Sequence, residues 1–212
     1  MDTESLHGQL ASQGYTLHAQ FTFREMLEPV REGLQTRNGF RNGFILIIFF
    51  FMLITTASVA SSLVLKQLSF NGVVYRLFLG VVFTFVLIPL HEWLHGLAFR
   101  YYGARDVRYG VVWRYLMFYA VSHLQVLGAR QYYRIGLAPF VVVTLGGLIT
   151  YFFCGPALQL TILSLLSFHT LCCAGDFGLC AYFLKYIDSE PLTFDDAGTG
   201  TTYIYLKKYS ES

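Results

Sequence analysis

No Asp, Glu, Lys or Arg occurs between Arg41 and Lys66, nor anywhere from Ile135 to Gly175. Uncharged apolar runs of this kind match the roughly 20 residues that a helix needs to cross a hydrocarbon layer of about 30 Å. Residues 44–65 form the first predicted transmembrane helix. A second is predicted over 73–102, apolar through Leu90 and then interrupted by polar residues. A third is predicted over 133–153 and, after the Cys154-Gly155-Pro156 break, a fourth over 157–187. Composition agrees, with 55% hydrophobic, 17% aromatic and only 13% charged residues, about half the charged share of globular proteins. That bias excludes a disordered chain and a disulfide-stapled secreted module. The net charge of +2, without a continuous basic run, argues against nucleic acid as a partner.

The basic residues orient the spans. Arg24, Arg31, Arg37 and Arg41 precede the first helix, Arg100, Arg105, Arg108, Arg114, Arg130 and Arg134 lie between the second and third, and Lys185, Lys207 and Lys208 follow the fourth. The other connections hold little positive charge, so both termini and the central segment are expected in the cytoplasm. This divides the chain into a cytoplasmic or interfacial segment (1–40), a transmembrane domain (41–187) and a cytoplasmic tail (188–212). No cleavable signal peptide is expected, because the first apolar run is too long for one. Phe21, Phe23, Met26, Leu27 and Val30, set among charged residues, predict a short amphipathic helix that packs on the protein or lies on the membrane surface. In the central segment, residues 106–115 are β-branched and aromatic with partial alternation, and Gly110 is expected to mark a bend or bulge. The fold class is therefore an all-α polytopic membrane protein of about four helices, with a membrane-associated hairpin-like segment between the second and third. In the tail, residues 201–206 have the character of a short strand.

The chemistry resides in His91-Glu92-Trp93-Leu94-His95. Two histidines four apart share one helical face and can ligate one metal ion, with the intervening Glu92 beside them to accept a proton from metal-bound water. These residues interrupt an apolar helix, where a carboxylate or imidazole is costly unless paired, metal-bound or hydrated. Pro89 removes a backbone hydrogen bond two residues earlier and is expected to kink that helix.

A tetrahedral catalytic zinc site needs a third protein ligand. Asp176 is the only acidic residue between Asp106 and Asp188. Counted from the external helix ends, His91 lies about 18 residues deep and Asp176 about 19, roughly 27 and 28 Å, so both reach one membrane level near the cytoplasmic face. His169, two turns before Asp176, faces the same way and suits an oxyanion-binding or ligand-orienting role, or a structural one. Cys172, Cys173 and Cys180 lie on or near that face, but without a Cys-x-x-Cys spacing they read as apolar filling. His123 reads as structural. Glu190 and Glu211 are the remaining acidic alternatives on the C-terminal side.

The motif with Gly96, the basic aromatic segment, Leu137-Ala138-Pro139 in the next span and Gly175-Asp176 in the last together resemble the zincin peptidase family of bacterial membranes. That family is similar to the site-2-protease class of intramembrane metalloproteases. The resemblance spans roughly residues 73–186 and implies a zinc peptidase of a bacterial cytoplasmic membrane, with the bilayer and a membrane protein or peptide as its partners. Zn2+ would be held by His91, His95 and Asp176, with Glu92 as general base. The chain departs from the site-2-protease pattern at the aspartate, which sits in Ala174-Gly175-Asp176-Phe177-Gly178 and not in an Asn-Pro-Leu-Asp-Gly type motif. A membrane zinc hydrolase acting on a lipid would use the same ligands, and an inactive metal-binding adaptor would not need Glu92.

Overall fold

The computed structural model describes residues 2–115 and 117–208. Along the chain run α1 (Thr3–Ser12), β1 (Tyr15–Thr22), α2 (Leu27–Gln35), α3 (Gly39–Val64), α4 (Phe70–Tyr101), β2 (Val107–Val112), β3 (Met117–Ser122), β4 (Leu127–Gly128) and α5 (Ala129–Phe152). They are followed by α6 (Pro156–Cys172), α7 (Ala174–Lys185), β5 (Leu192–Asp196) and β6 (Thr201–Lys207). The first two long helices open on N-caps, in which the Asn38 and Ser69 side chains accept the Arg41 and Gly72 N–H groups, satisfying donors that have no intrahelical partner.

Helices α3, α4 and α5 are long and apolar enough to cross a membrane, and the bent pair α6–α7 makes a fourth if counted as one span. Only 11% of the apolar window of α3 is buried, and 17% of those of α4 and α5. Phe49, Phe50 and Leu53 on α3, and Phe78, Phe85 and Val86 on α4, are exposed. A continuous apolar surface of this kind is unfavourable in water and suits a lipid environment.

Small and hydroxylated side chains bring α4 and α6 together. A Cβ on Gly80 would lie 2.4 Å from the Ser164 Cβ, so only glycine permits this crossing. The Ser164 hydroxyl donates to the Leu77 carbonyl at 2.7 Å, and the buried Thr84 hydroxyl lies 3.2 Å from the Leu165 carbonyl. Gly80, Thr84, His91 and His95 recur at helical spacing, so the contact that packs α4 on α6 also carries the two histidines inward.

Three expectations are corrected, two in the helices and one in the hairpin. The fourth helix is not continuous, because α6 and α7 meet at Cys173 with a 43° bend. The bend precedes Ala174-Gly175-Asp176, and glycine and aspartate hold a helix weakly. The N-terminal amphipathic helix begins only at Leu27, since Tyr15–Thr22 forms a strand paired antiparallel with β6. That pairing places Thr16 beside Leu206, 190 residues away, a partner invisible to local patterning. Helix α2 itself is a packing helix: Gly33 meets α7 so closely that a Cβ there would lie 1.9 Å from the Gly178 carbonyl oxygen.

The helical domain thus carries two antiparallel sheets as well. One has the order β1-β6-β5-β4, and the other is the β2–β3 hairpin. Leu6 and Leu10 of α1 pack on Phe194 and Tyr205 of the larger sheet. Gly110 forms no bulge; it pairs regularly with Tyr119, and the Tyr119 ring covers it, with its hydroxyl 2.3 Å from where a Cβ would stand. His123 is structural, with its Nδ1 accepting the Ala197 N–H at 3.1 Å and tying the hairpin to the larger sheet.

Candidate metal centre

His91 and His95 occupy successive turns of α4, and Asp176 lies in the first turn of α7, where the positive end of the helix dipole favours a carboxylate. The His91 Nε2 is 3.2 Å from Asp176 Oδ2, the His95 Nε2 is 3.3 Å from Asp176 Oδ1, and the two Nε2 atoms are 3.1 Å apart. Tetrahedral bonds of about 2.0–2.2 Å set ligand atoms roughly 3.3 Å apart.

Tautomer chemistry decides what fits between them. The His95 Nδ1 is 3.0 Å from the Ile135 carbonyl oxygen, and a carbonyl can only accept, so the proton of the neutral ring sits on Nδ1. The Nε2 lone pair of His95 therefore points at a carboxylate oxygen, an acceptor facing an acceptor. The His91 Nδ1 lies 3.2 Å from the His169 Nε2, and with its proton on Nδ1 toward that nitrogen His91 presents the same lone pair to Asp176. A cation bound by the two Nε2 atoms and the carboxylate resolves the conflict, and this donor set of two imidazoles and a carboxylate suits zinc.

The structure thus brings together His91, His95 and Asp176 from helices far apart in sequence. His169 touches His91. Cys173 is buried with its Sγ 3.8 Å from both ring nitrogens of His169, and His91, His169 and Cys173 form a second group close enough to hold a metal ion. Cys172 is exposed, and Cys180 is buried. Glu190 lies elsewhere, its carboxylate receiving the Lys207 ammonium at 2.7 Å, and Glu211 lies outside the described residues.

Glu92 sits beside the cluster, with its Oε2 buried and without a hydrogen-bond partner among the described residues. It opens into a cavity of about 160 Å³ lined also by His95 and Asp176. The walls come from β3 (Met117 to Val121), from Phe23, Met26 and Val30 of the N-terminal segment, and from Tyr132 and Ile135 of α5. Asp195 of β5 and Thr202 of β6 also line it. Burial pushes the Asp195 carboxyl up to about 6, although the Thr202 hydroxyl, 2.6 Å from its Oδ1, favours the ionised form.

A family described as "Putative zincin peptidase" matches residues 84–189, half of the chain. The chain belongs to this family. The matched zincin peptidase segment begins on α4 ahead of His91 and ends beyond α7, so it contains the whole His91, His95 and Asp176 cluster and the hairpin beside it. Membership suggests zinc metallopeptidase activity. No curated protein and no solved structure matches the chain.

Reasoning from the sequence missed the walls of the cavity. Phe23, Asp195 and Thr202 lie outside the matched zincin peptidase segment. The tail carried a signal: Leu-Thr-Phe, then Gly198-Thr199-Gly200, then alternating Tyr203, Ile204 and Tyr205 is the pattern of two strands and a turn.

Proposed function

We propose that this protein is an intramembrane zinc metallopeptidase that hydrolyses peptide bonds of membrane-embedded or membrane-proximal polypeptides. The observation that carries this reading is the convergence of the His91, His95 and Asp176 ligand atoms within 3.3 Å beside a carboxylate, Glu92, with a buried unpartnered oxygen.

When bound, zinc supplies a Lewis acid that polarises the scissile carbonyl and acidifies water. Glu92 takes the proton of the attacking water and delivers it to the departing amine nitrogen, so its proton count is restored each turnover. His91 donates its Nδ1 proton to His169, and His95 donates to Ile135. Both rings are thereby oriented with Nε2 toward Asp176. His169 acts on this reading as an orienting residue.

Strand β3 supports a peptide substrate. His123 N–H donates to the Asp106 carbonyl at 2.9 Å, so odd-numbered β3 residues turn their backbone groups toward β2. Alternation then turns the N–H and C=O of Phe118 and Ala120 to the opposite edge, where no described residue pairs with them. Five consecutive β3 residues line the cavity, as expected when an edge, and not a face, borders it. An extended substrate added at this edge would run beside Glu92.

The distribution of Arg and Lys supports a cytoplasmic-membrane protein with both termini, the hairpin and the larger sheet on the cytoplasmic side. Elemental analysis of purified protein tests the centre. About one zinc per chain is expected, lost in His91→Ala and in Asp176→Ala. Zinc retained without Asp176 would reassign the third ligand to the His169 and Cys173 group.

A further inference from the structure

Among the described residues the Asp195 carboxylate has no counterion. It lines the same cavity as Glu92 and Asp176, yet its only side-chain partner among the described residues is the Thr202 hydroxyl. A bound zinc would balance the charges of Glu92 and Asp176 and leave that of Asp195 over. The rest of the cavity lining is mostly apolar or aromatic, with Phe23, Phe118 and Tyr132 among it, and a carboxylate in such a chamber is unfavourable unless something pairs with it.

Position explains what that partner is. The β3 edge is open at Phe118 and Ala120 but closes immediately beyond, where Asp195 bridges His123 in parallel and its carbonyl accepts the Leu124 N–H at 2.8 Å. Strand β5 thus occupies the line that an added strand would follow and ends the groove. Asp195 stands at that closed end.

We propose that Asp195 is a specificity-determining residue that closes the substrate groove and selects a peptide with a basic side chain, lysine or arginine, at the position reaching the groove's end. The apolar and aromatic lining would cover the aliphatic stem while the carboxylate receives the charged head. Thr202 holds the carboxylate in place through its hydroxyl. The inference rests on the peptidase reading and adds the substrate class.

The test is a binding measurement on full-length, zinc-loaded protein carrying Glu92→Gln, so that bound peptides are not cut. The probes are fluorescent apolar peptides in which Lys, norleucine or Glu is moved through one position at a time. At one position Lys should bind about 10- to 100-fold more tightly than norleucine. Asp195→Asn should erase that preference while leaving the affinity of the norleucine peptides and the zinc content intact, and Asp195→Lys should favour Glu. Thr202→Val, which keeps the carboxylate but frees it, should reduce the preference without reversing it. Lys preference that survives Asp195→Asn overturns the inference, as does its absence at every position from protein that binds the norleucine peptides. The protein with Glu92 separates the two readings: peptides cleaved without charge preference remove only the role of Asp195, whereas failure to bind or cleave any peptide removes the peptidase reading and this role with it.

Discussion

Ile135 can accept the His95 Nδ1 proton because Pro139 stands four residues after it. In an α-helix the carbonyl of residue i receives the N–H of residue i+4, and proline has none. The Ile135 oxygen, freed from α5, lies 3.0 Å from His95 Nδ1. The Leu137-Ala138-Pro139 element thus has a physical use in this chain: it frees an acceptor that fixes the tautomer of His95, a proposed metal ligand.

Pro139→Ala should therefore weaken the metal site while leaving the helix as sound as before. The restored N–H competes for Ile135, and loss of such an orienting partner lowers metal affinity by about 10- to 100-fold. Competition with a chromogenic zinc chelator reads the affinity, and thermal unfolding of the metal-free protein reads the helix. Unchanged affinity would mean that His95 is oriented by its packing alone.

Glu92→Gln should retain zinc at wild-type stoichiometry and lose about 10²- to 10⁴-fold in cleavage rate, the contribution of a positioned general base. Zinc analysis beside a peptide-cleavage assay checks both halves. Loss of zinc in this variant would make Glu92 a ligand.

Gly96 follows the motif directly, and a Cβ there would lie 1.9 Å from the Tyr109 hydroxyl oxygen. Gly96→Ala should destabilise the protein by about 1–3 kcal/mol, the range for overpacked interiors. Tyr109→Phe removes the nearest atom and should recover part of the loss in the double variant. Unfolding temperatures of the four proteins give the coupling. Strict additivity would mean that the hairpin moves aside freely.

The Asp195 carboxyl is pushed up to about 6 from an ordinary 3.8, so the folded state holds its proton more tightly than the unfolded state. Its stabilising contribution is complete below pH ~4 and is lost as pH rises through about 6. Compared with Asp195→Asn, the wild type should become progressively less stable between these limits. Unfolding temperatures measured across pH 4–7 give that difference, and parallel curves would show a carboxyl with no raised affinity for its proton.

The long helices were legible because an uncharged apolar run has few other uses, and the His91 and His95 pair was legible because residues four apart share one helical face. What local sequence hides is pairing at a distance. Tyr15 to Thr22 reads equally well as part of an amphipathic segment until Thr201 to Lys207 lies beside it. Asp195 looks like one acid in a polar tail until the sheet brings it into the wall of the cavity that Glu92 also lines. The bend at Cys173 had only the weak helix formers after it as a signal, and it places Asp176 in a first turn instead of mid-helix.

The strand pairing of β1 with β6 also sets an order of events. The cavity wall containing Phe23 and Asp195 joins segments separated by nearly the whole chain, with every long helix lying between them. Loop closure of that length is unfavourable until the intervening helices have drawn its ends together. The wall is therefore expected to close late, after the helices that carry His91, His95 and Asp176 have packed against one another.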